Sequence, residues 1–177
     1  QGGTLKAGTD IWTLDGGFNT IFSYTSGTFT CNTSTFNLTY TGTAAQTFTG
    51  GGQTFNNVTF TNAKATGAIT ISGNNTFANL TISNQRSFIV TASSTQTITG
   101  SFNVNGTSPS ALVTFTSSTP GTHYHFSKAS GNVIGSFLSI TDAQGIGGAS
   151  WYATKSTNVS GNTGISFQDP QTMWGGF

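Results

Sequence analysis

Few side chains in this sequence could do chemistry, and their spacing limits what that chemistry can be. There are four carboxylates, Asp10, Asp15, Asp142 and Asp169, and no Glu. Glycoside cleavage needs two carboxyl groups roughly 5–10 Å apart, one giving a proton and the other acting as base or nucleophile. No two of the four acids stand at i, i+2 on a strand or one repeat apart, so they read as turn and capping residues. His123-Tyr124-His125 is the sharper arrangement. On a strand, i and i+2 point to one face, so both imidazoles could hold one metal ion. Tyr124 and Phe126 alternate with these histidines, however, just after Pro120-Gly121. An ordinary strand with His123 and His125 facing outward fits the same residues, and no metal or other cofactor is expected.

Other chemistries find less support. Hydroxyls are abundant, but no His–Asp spacing suggests an activated nucleophile. Gly50-Gly51-Gly52 is followed by neither Lys-Ser/Thr nor a helix, so it is not a phosphate loop. Cys31 is the one cysteine, which excludes an internal disulfide. Next to Thr28-Phe29-Thr30 it reads as a small buried or half-buried hydrophobe, with an intermolecular bridge as the other option. Asn-x-Ser/Thr occurs seven times. With 15 Asn in a chain that is nearly a third Ser and Thr, about five are expected by chance, so they do not mark glycosylation. No enzyme is expected.

The elements that must position these residues follow from composition. The 177 residues suit one domain with a sizeable core. Charged residues make up 5 % of the chain, against about 25 % in an average soluble domain. Five scattered bases and a net charge of +1 provide no basic patch, which argues against nucleic acid and anionic membranes as partners. No stretch of 18 apolar residues is present to span a membrane as a helix. The 35 Thr and 21 Ser must therefore supply solubility, a style suited to an extracellular or virion surface. The sequence begins at Gln1 without a signal peptide, so it is expected to be processed or to be a piece of something longer.

Helical periodicity is absent, whereas alternation of apolar and hydroxyl residues recurs in short runs such as Val58-Thr59-Phe60-Thr61, Ile69-Thr70-Ile71-Ser72 and Val113-Thr114-Phe115-Thr116. Gly, Asn or Ser usually ends each run. Thr54-Phe55-Asn56-Asn57-Val58-Thr59-Phe60-Thr61-Asn62 returns as Thr76-Phe77-Ala78-Asn79-Leu80-Thr81-Ile82-Ser83-Asn84. Thr35-Phe36-Asn37-Leu38-Thr39-Tyr40-Thr41 is a shorter copy. Such a repeat predicts an all-β parallel β-solenoid with coils of about 20–27 residues. Stacking at about 4.8 Å would set Val58 over Leu80, Phe60 over Ile82 and Asn62 over Asn84. An antiparallel β-sandwich is the competing fold. Three parts are expected: a cap or linker from an upstream region over 1–26, a solenoid body over 27–142, and a Gly- and aromatic-rich closing segment over 143–177.

Thr119-Pro120-Gly121-Thr122, Phe137-Leu138-Ser139-Ile140-Thr141-Asp142, Gly148-Ala149-Ser150-Trp151-Tyr152-Ala153 and the stretch from Ser156 to Phe167 resemble the closing segment of right-handed parallel β-helix modules. Such modules occur in phage virion and tail proteins and in large bacterial surface proteins. The Thr-Phe-x-Asn coils upstream resemble their body. The resemblance implies an extracellular or virion-surface structural or adhesive element: a phage tail fibre, spike or capsid-decorating protein, or else a bacterial adhesin or filament subunit. It implies as partners copies of the chain itself or a larger assembly, with a surface glycan as a further option. His123-Tyr124-His125 also resembles the His-x-His that rings an axial iron in trimeric phage spikes. Thr39/Thr41, Thr59/Thr61 and Thr81/Ser83, taken as stacked ranks, suggest ice binding as an alternative. Trp151, Trp174 and Phe177 are expected to be contacts for assembly.

Overall fold

A run of three to five alternating residues has one apolar face and cannot bury it alone. Stacking successive runs is the solution found here. The computed structural model describes residues 3–15, 19–40, 42–61, 67–84 and 86–168. The chain enters through β1 (Thr4–Lys6), β2 (Ile11–Leu14) and β3 (Asn19–Ser23), then winds again through β4 (Thr28–Thr30), β5 (Thr35–Leu38) and β6 (Gln46–Thr49). Three coils follow with two strands each: β7 (Thr54–Phe60) and β8 (Ile69–Ser72), β9 (Asn75–Ser83) and β10 (Arg86–Val90), β11 (Thr95–Asn105) and β12 (Val113–Ser117). The last windings are β13 (Tyr124–Lys128), β14 (Asn132–Ser136) and β15 (Leu138–Thr141), then β16 (Ala143–Gly147), β17 (Ser150–Thr154) and β18 (Thr157–Ser160), and finally β19 (Ile165–Ser166).

These strands pair in parallel, forming a β-solenoid of about seven turns. The antiparallel sandwich is excluded. The solenoid has three faces. The first contains the leading halves of β7, β9 and β11 and ends with β13 and β16, with β1 and β4 forming a separate two-stranded sheet at the entry end. The second contains β2, β5, the trailing halves of β7, β9 and β11, then β14, β17 and β19. The third runs through β3, β6, β8, β10, β12, β15 and β18. Val58 stands beside Leu80 and Phe60 beside Ile82, as the repeat predicts. Asn62 lies outside the described residues.

The shorter repeat copy sits differently from its likeness. Thr35 pairs with Asn57 and Asn37 with Thr59, so Thr39 falls beside Thr61 rather than Thr59. A slip of two residues keeps every side chain on its own face, which lets Phe36 meet Val58 and Leu38 meet Phe60. Phe29 of β4 packs on Phe55, the two rings lying 5.2 Å apart. The stack also passes both expected boundaries of the body. β2 and β3 already pair with β5 and β6, and β16 to β19 continue the sheets.

The core is a column rich in Phe. Phe36, Phe48, Phe55, Phe77, Phe88 and Phe115 are each essentially fully buried, linked by ring contacts of 5.1–6.4 Å that run on to Phe126 and Trp151. The indole N–H of Trp151 donates to the Ile146 carbonyl at 3.2 Å, and its ring packs on Phe102 and Phe126. Trp151, expected to be an assembly contact, is instead a core residue with 6 % of its surface exposed. An aromatic late in the sequence is buried because the stack continues past it. Trp174 and Phe177 lie outside the described residues.

Candidate functional surfaces

The pleat sends every second residue outward, and in this composition most of those residues are Thr, Ser and Asn. On the second face Thr13, Asn37, Thr59, Thr81 and Asn103 form one column. On the first, Thr54, Thr76, Thr97 and Ser127 stand in line. On the third, Thr20, Thr47 and Thr70 are followed by Ile89 and Thr116. None of these columns contains a charged residue. The second-face rank expected from Thr59 and Thr81 is thus flanked by amides above and below. Ser83 pairs with Asn105, which accepts hydrogen bonds from Ser136 at 2.9–3.0 Å. Thr41 lies outside the described residues.

His123 and His125 flank the inward Tyr124, but they do not share a ligand position built by the chain. The His123 Nε2 is 2.7 Å from the Gly161 carbonyl oxygen, whereas His125 stands in register between Thr95 and Gln144. Among the described residues no three His, Cys, Asp or Glu side chains come together. The carboxylates are dispersed too. Asp142 is buried at a positive-φ turn (φ 58°), where its Oδ2 accepts the Gly121 N–H at 2.9 Å. A Cβ on Gly161 would fall 2.1 Å from the other oxygen of Asp142, so glycine is needed at that crossing. Asp10 and Asp15 are exposed on either side of β2, and Asp169 lies outside the described residues. Burial, and then the Asp142 charge, push the Tyr124 phenol well above its ordinary pKa. Cys31 is half-buried and free.

Three polar features escaped the sequence reading. The first is an amide ladder at the corner between the first two faces. Asn79 Nδ2 donates to Asn57 Oδ1 at 2.8 Å, Asn57 Nδ2 donates to Thr35 Oγ1 at 3.1 Å, and the Ser101 N–H donates to Asn79 Oδ1 at 3.0 Å. The repeated Asn of Thr-Phe-x-Asn was its signal. The second is a buried amide pair at the corner leading into the first face, where Asn75 Nδ2 donates to Gln96 Oε1 at 2.9 Å. The third is Arg86, an inward-facing cation in the apolar alternation Arg86-Ser87-Phe88-Ile89-Val90. Period two alone marks it as buried.

Shallow surface features lie elsewhere. A groove of about 350 Å³ runs along Gly100–Asn103, Lys128 and Asn132–Ile134, with Ile134 exposed. At the entry end β1, β2 and β3 each pair with a single strand among the described residues, and Leu5 and Ile11 are exposed there. A cavity of about 300 Å³ opens at that end between β1 and the Phe22–Phe29 segment. No family model, curated protein or solved structure matches this chain.

Proposed function

We propose that this chain is a non-catalytic structural or adhesive solenoid of an extracellular assembly, in the first place a virion appendage such as a phage tail fibre, spike or capsid-decorating protein. A bacterial surface adhesin or filament subunit is the alternative. The observation that carries this reading is the set of uncharged, mostly hydroxyl and amide columns on all three faces of one continuous stack. Such walls stay hydrated without charge, while the Phe column holds the coils in register. The open edges of β1, β2 and β3, with exposed Leu5 and Ile11, favour end-on packing against another copy or a neighbouring module, because free N–H and C=O groups pair with any available edge.

Sedimentation velocity of the purified chain tests this. Self-association that weakens when Ile11 is replaced by Lys supports end-on assembly. A monomer at high concentration, indifferent to Ile11→Lys, removes it. Robust cleavage of glycans or peptides by the purified chain would overturn the non-catalytic reading. A second reading has one specific observation in its favour, the in-register threonines Thr54, Thr76 and Thr97 beside Thr59 and Thr81. Ranks of this kind suit binding to ice or another ordered surface. Thermal hysteresis that disappears in Thr59→Lys and Thr81→Lys would establish it, and no hysteresis at high concentration would discard it.

A further inference from the structure

The sheet is split between β11 and β14. β11 pairs with β13 as far as Thr97 and Ser127, and its pairing with β14 consists of Asn105 with Ser136 alone. Asn105 clasps that end, since its side-chain oxygen accepts both the N–H and the hydroxyl of Ser136. Toward the other end the Lys128 ammonium holds the carbonyls of Thr99 and Gly100. Between these clasps lies the groove of about 350 Å³. The flanking bonds show which main-chain groups face it. The Gly106 N–H donates to the Ser136 carbonyl, the Ser101 N–H turns the other way to Asn79 of β9, and the Gly131 carbonyl turns to Ser150 of β17. The N–H and C=O of one residue point to the same side of a parallel strand, and the side alternates along the chain. Those of Phe102 and Ile134 therefore point into the gap, where β11 and β14 do not pair. The Phe102 side chain shows the same opening. Its neighbour in register, Leu80, is fully buried, whereas Phe102 is half-buried and lines the groove.

We propose that this groove binds one acidic sugar residue of a glycan, a hexuronate in chemical type; the proposal deepens the adhesive reading and rests on it. Four properties of the site select that chemistry. The gap is bounded by pairing on both sides, at Thr97/Ser127 and at Asn105/Ser136, so an added strand finds no open edge along it and a compact ligand suits it better. Its volume is at the lower end of the range for small-molecule sites. The outward side chains Ser101, Asn103 and Asn132 offer donors and acceptors together, as do the main-chain groups of Phe102 and Ile134. A ring of hydroxyls, each both donor and acceptor, matches that set, whereas an inorganic anion would use the donors alone. The half-buried Phe102 and the exposed Ile134 give the ring's C–H face an apolar surface. Lys128 is the one charged residue among those that line the groove. Its ammonium has three donors and directs them at two carbonyls, which leaves one for the sugar carboxylate.

Titration of the ¹⁵N-labelled chain with three probes tests the site: methyl β-D-glucuronoside, methyl β-D-glucoside and sodium acetate, at equal ionic strength. The glucuronoside should give saturable amide shifts centred on Phe102, Asn132 and Ile134. The glucoside should shift the same amides with a dissociation constant about threefold to fivefold higher, the part that one exposed ion pair contributes. Acetate should leave them unmoved over the range in which the glucuronoside saturates. Lys128→Met should bring the two glycosides to the same affinity, and Asn132→Asp, which sets a carboxylate at the rim, should weaken the glucuronoside more than the glucoside. Absence of saturable shifts with both glycosides, or shifts centred outside the groove, would overturn the proposal. Acetate acting as strongly as the glucuronoside would make this a plain carboxylate site and overturn the sugar. These results are independent of the sedimentation of Ile11→Lys, so a failed titration with intact end-on assembly rejects the sugar site alone, and the reverse pattern rejects the assembly alone.

Discussion

The middle and last coils turn the same corner by different means. In the middle coils the first and second faces share continuous strands. Between paired positions Phe55/Phe77 and Asn57/Asn79 only one residue intervenes, Asn56 in one coil and Ala78 in the next. In β11 two residues, Thr99 and Gly100, stand against Ala78, which makes a bulge. Beyond it the strand breaks: residues 129–131 separate β13 from β14, and 148–149 separate β16 from β17, with Gly131 and Gly147 at positive φ. The amide ladder follows the same division. It runs from Thr35 through Asn57 and Asn79 to the Ser101 N–H and stops where the corner lengthens. A sharp corner brings one side chain of each coil to the same height, so amides can stack. An inserted turn moves them apart and hands the task to glycine and to local backbone bonds.

The largest effect that would break this comparison is expected in the core beneath the ladder. Phe77 is buried between Phe55 and Ile98, and Phe77→Ala should cost about 3–5 kcal/mol, read as a lower urea midpoint with unchanged slope. The ladder itself comes next. Asn79→Ala leaves the Asn57 Oδ1 and the Ser101 N–H without the partners they now have, a loss of about 1–3 kcal/mol. The equivalent side of the broken corner is Asn132, which is exposed, and Asn132→Ala should stay within about 0.5 kcal/mol. Equal losses at Asn79 and Asn132 would show that the two corners are not held differently.

How much of this was legible in the sequence depends on what each residue answers to. Inward residues such as Val58, Leu80, Phe60 and Ile82 repeat because each must match the one stacked on it, so both the parallel stack and their pairing could be read. The register of Thr39 could not. A two-residue slip leaves the alternation intact, and only the pairing itself shows that Phe36 meets Val58 rather than the Phe55 its copy suggests. Trp151 was misread for a related reason: aromatic residues near a sequence end serve a cap or a core equally well until the stack's extent is known. His123 and His125 could be read as outward, but not the Gly161 carbonyl that engages His123, because that contact joins residues 38 apart in sequence. Arg86 is legible only from its parity with Phe88 and Val90 within the strand, because a charged residue by itself reads as surface chemistry.

Tyr124 gives a smaller, pH-dependent contrast within the last coils. Its hydroxyl is buried without a hydrogen-bond partner, so Tyr124→Phe should be close to neutral at pH 7. Above pH 10 the wild-type chain should behave differently. The folded phenol keeps its proton well past the ordinary value, while the unfolded phenol loses it near pH 10. The folded state then binds more protons than the unfolded one, so stability falls as pH rises beyond about 10. Tyr124→Phe should flatten that fall in alkaline urea titrations. An identical alkaline slope in the two proteins would mean that the phenol is reached by solvent.

A further small effect concerns how the ladder's end is sealed. Where the corner lengthens, the bulge leaves the carbonyls of Thr99 and Gly100 facing the groove. The Lys128 ammonium reaches back across the groove and donates to both of them. Its stem is half-buried, so Lys128→Met retains the packing and removes only the charged donor. Water can replace that donor at an exposed site, and the loss should be below about 1 kcal/mol. Urea unfolding of Lys128→Met, alone and combined with Asn79→Ala, measures whether the seal and the ladder act together. If they form one polar system, the double variant should lose less than the sum of the two single losses, because Asn79 holds the Ser101 N–H and so fixes the bulge whose Thr99 and Gly100 carbonyls Lys128 engages. Strict additivity would show that Lys128 serves the groove alone and that the amide ladder ends at Ser101 without its help.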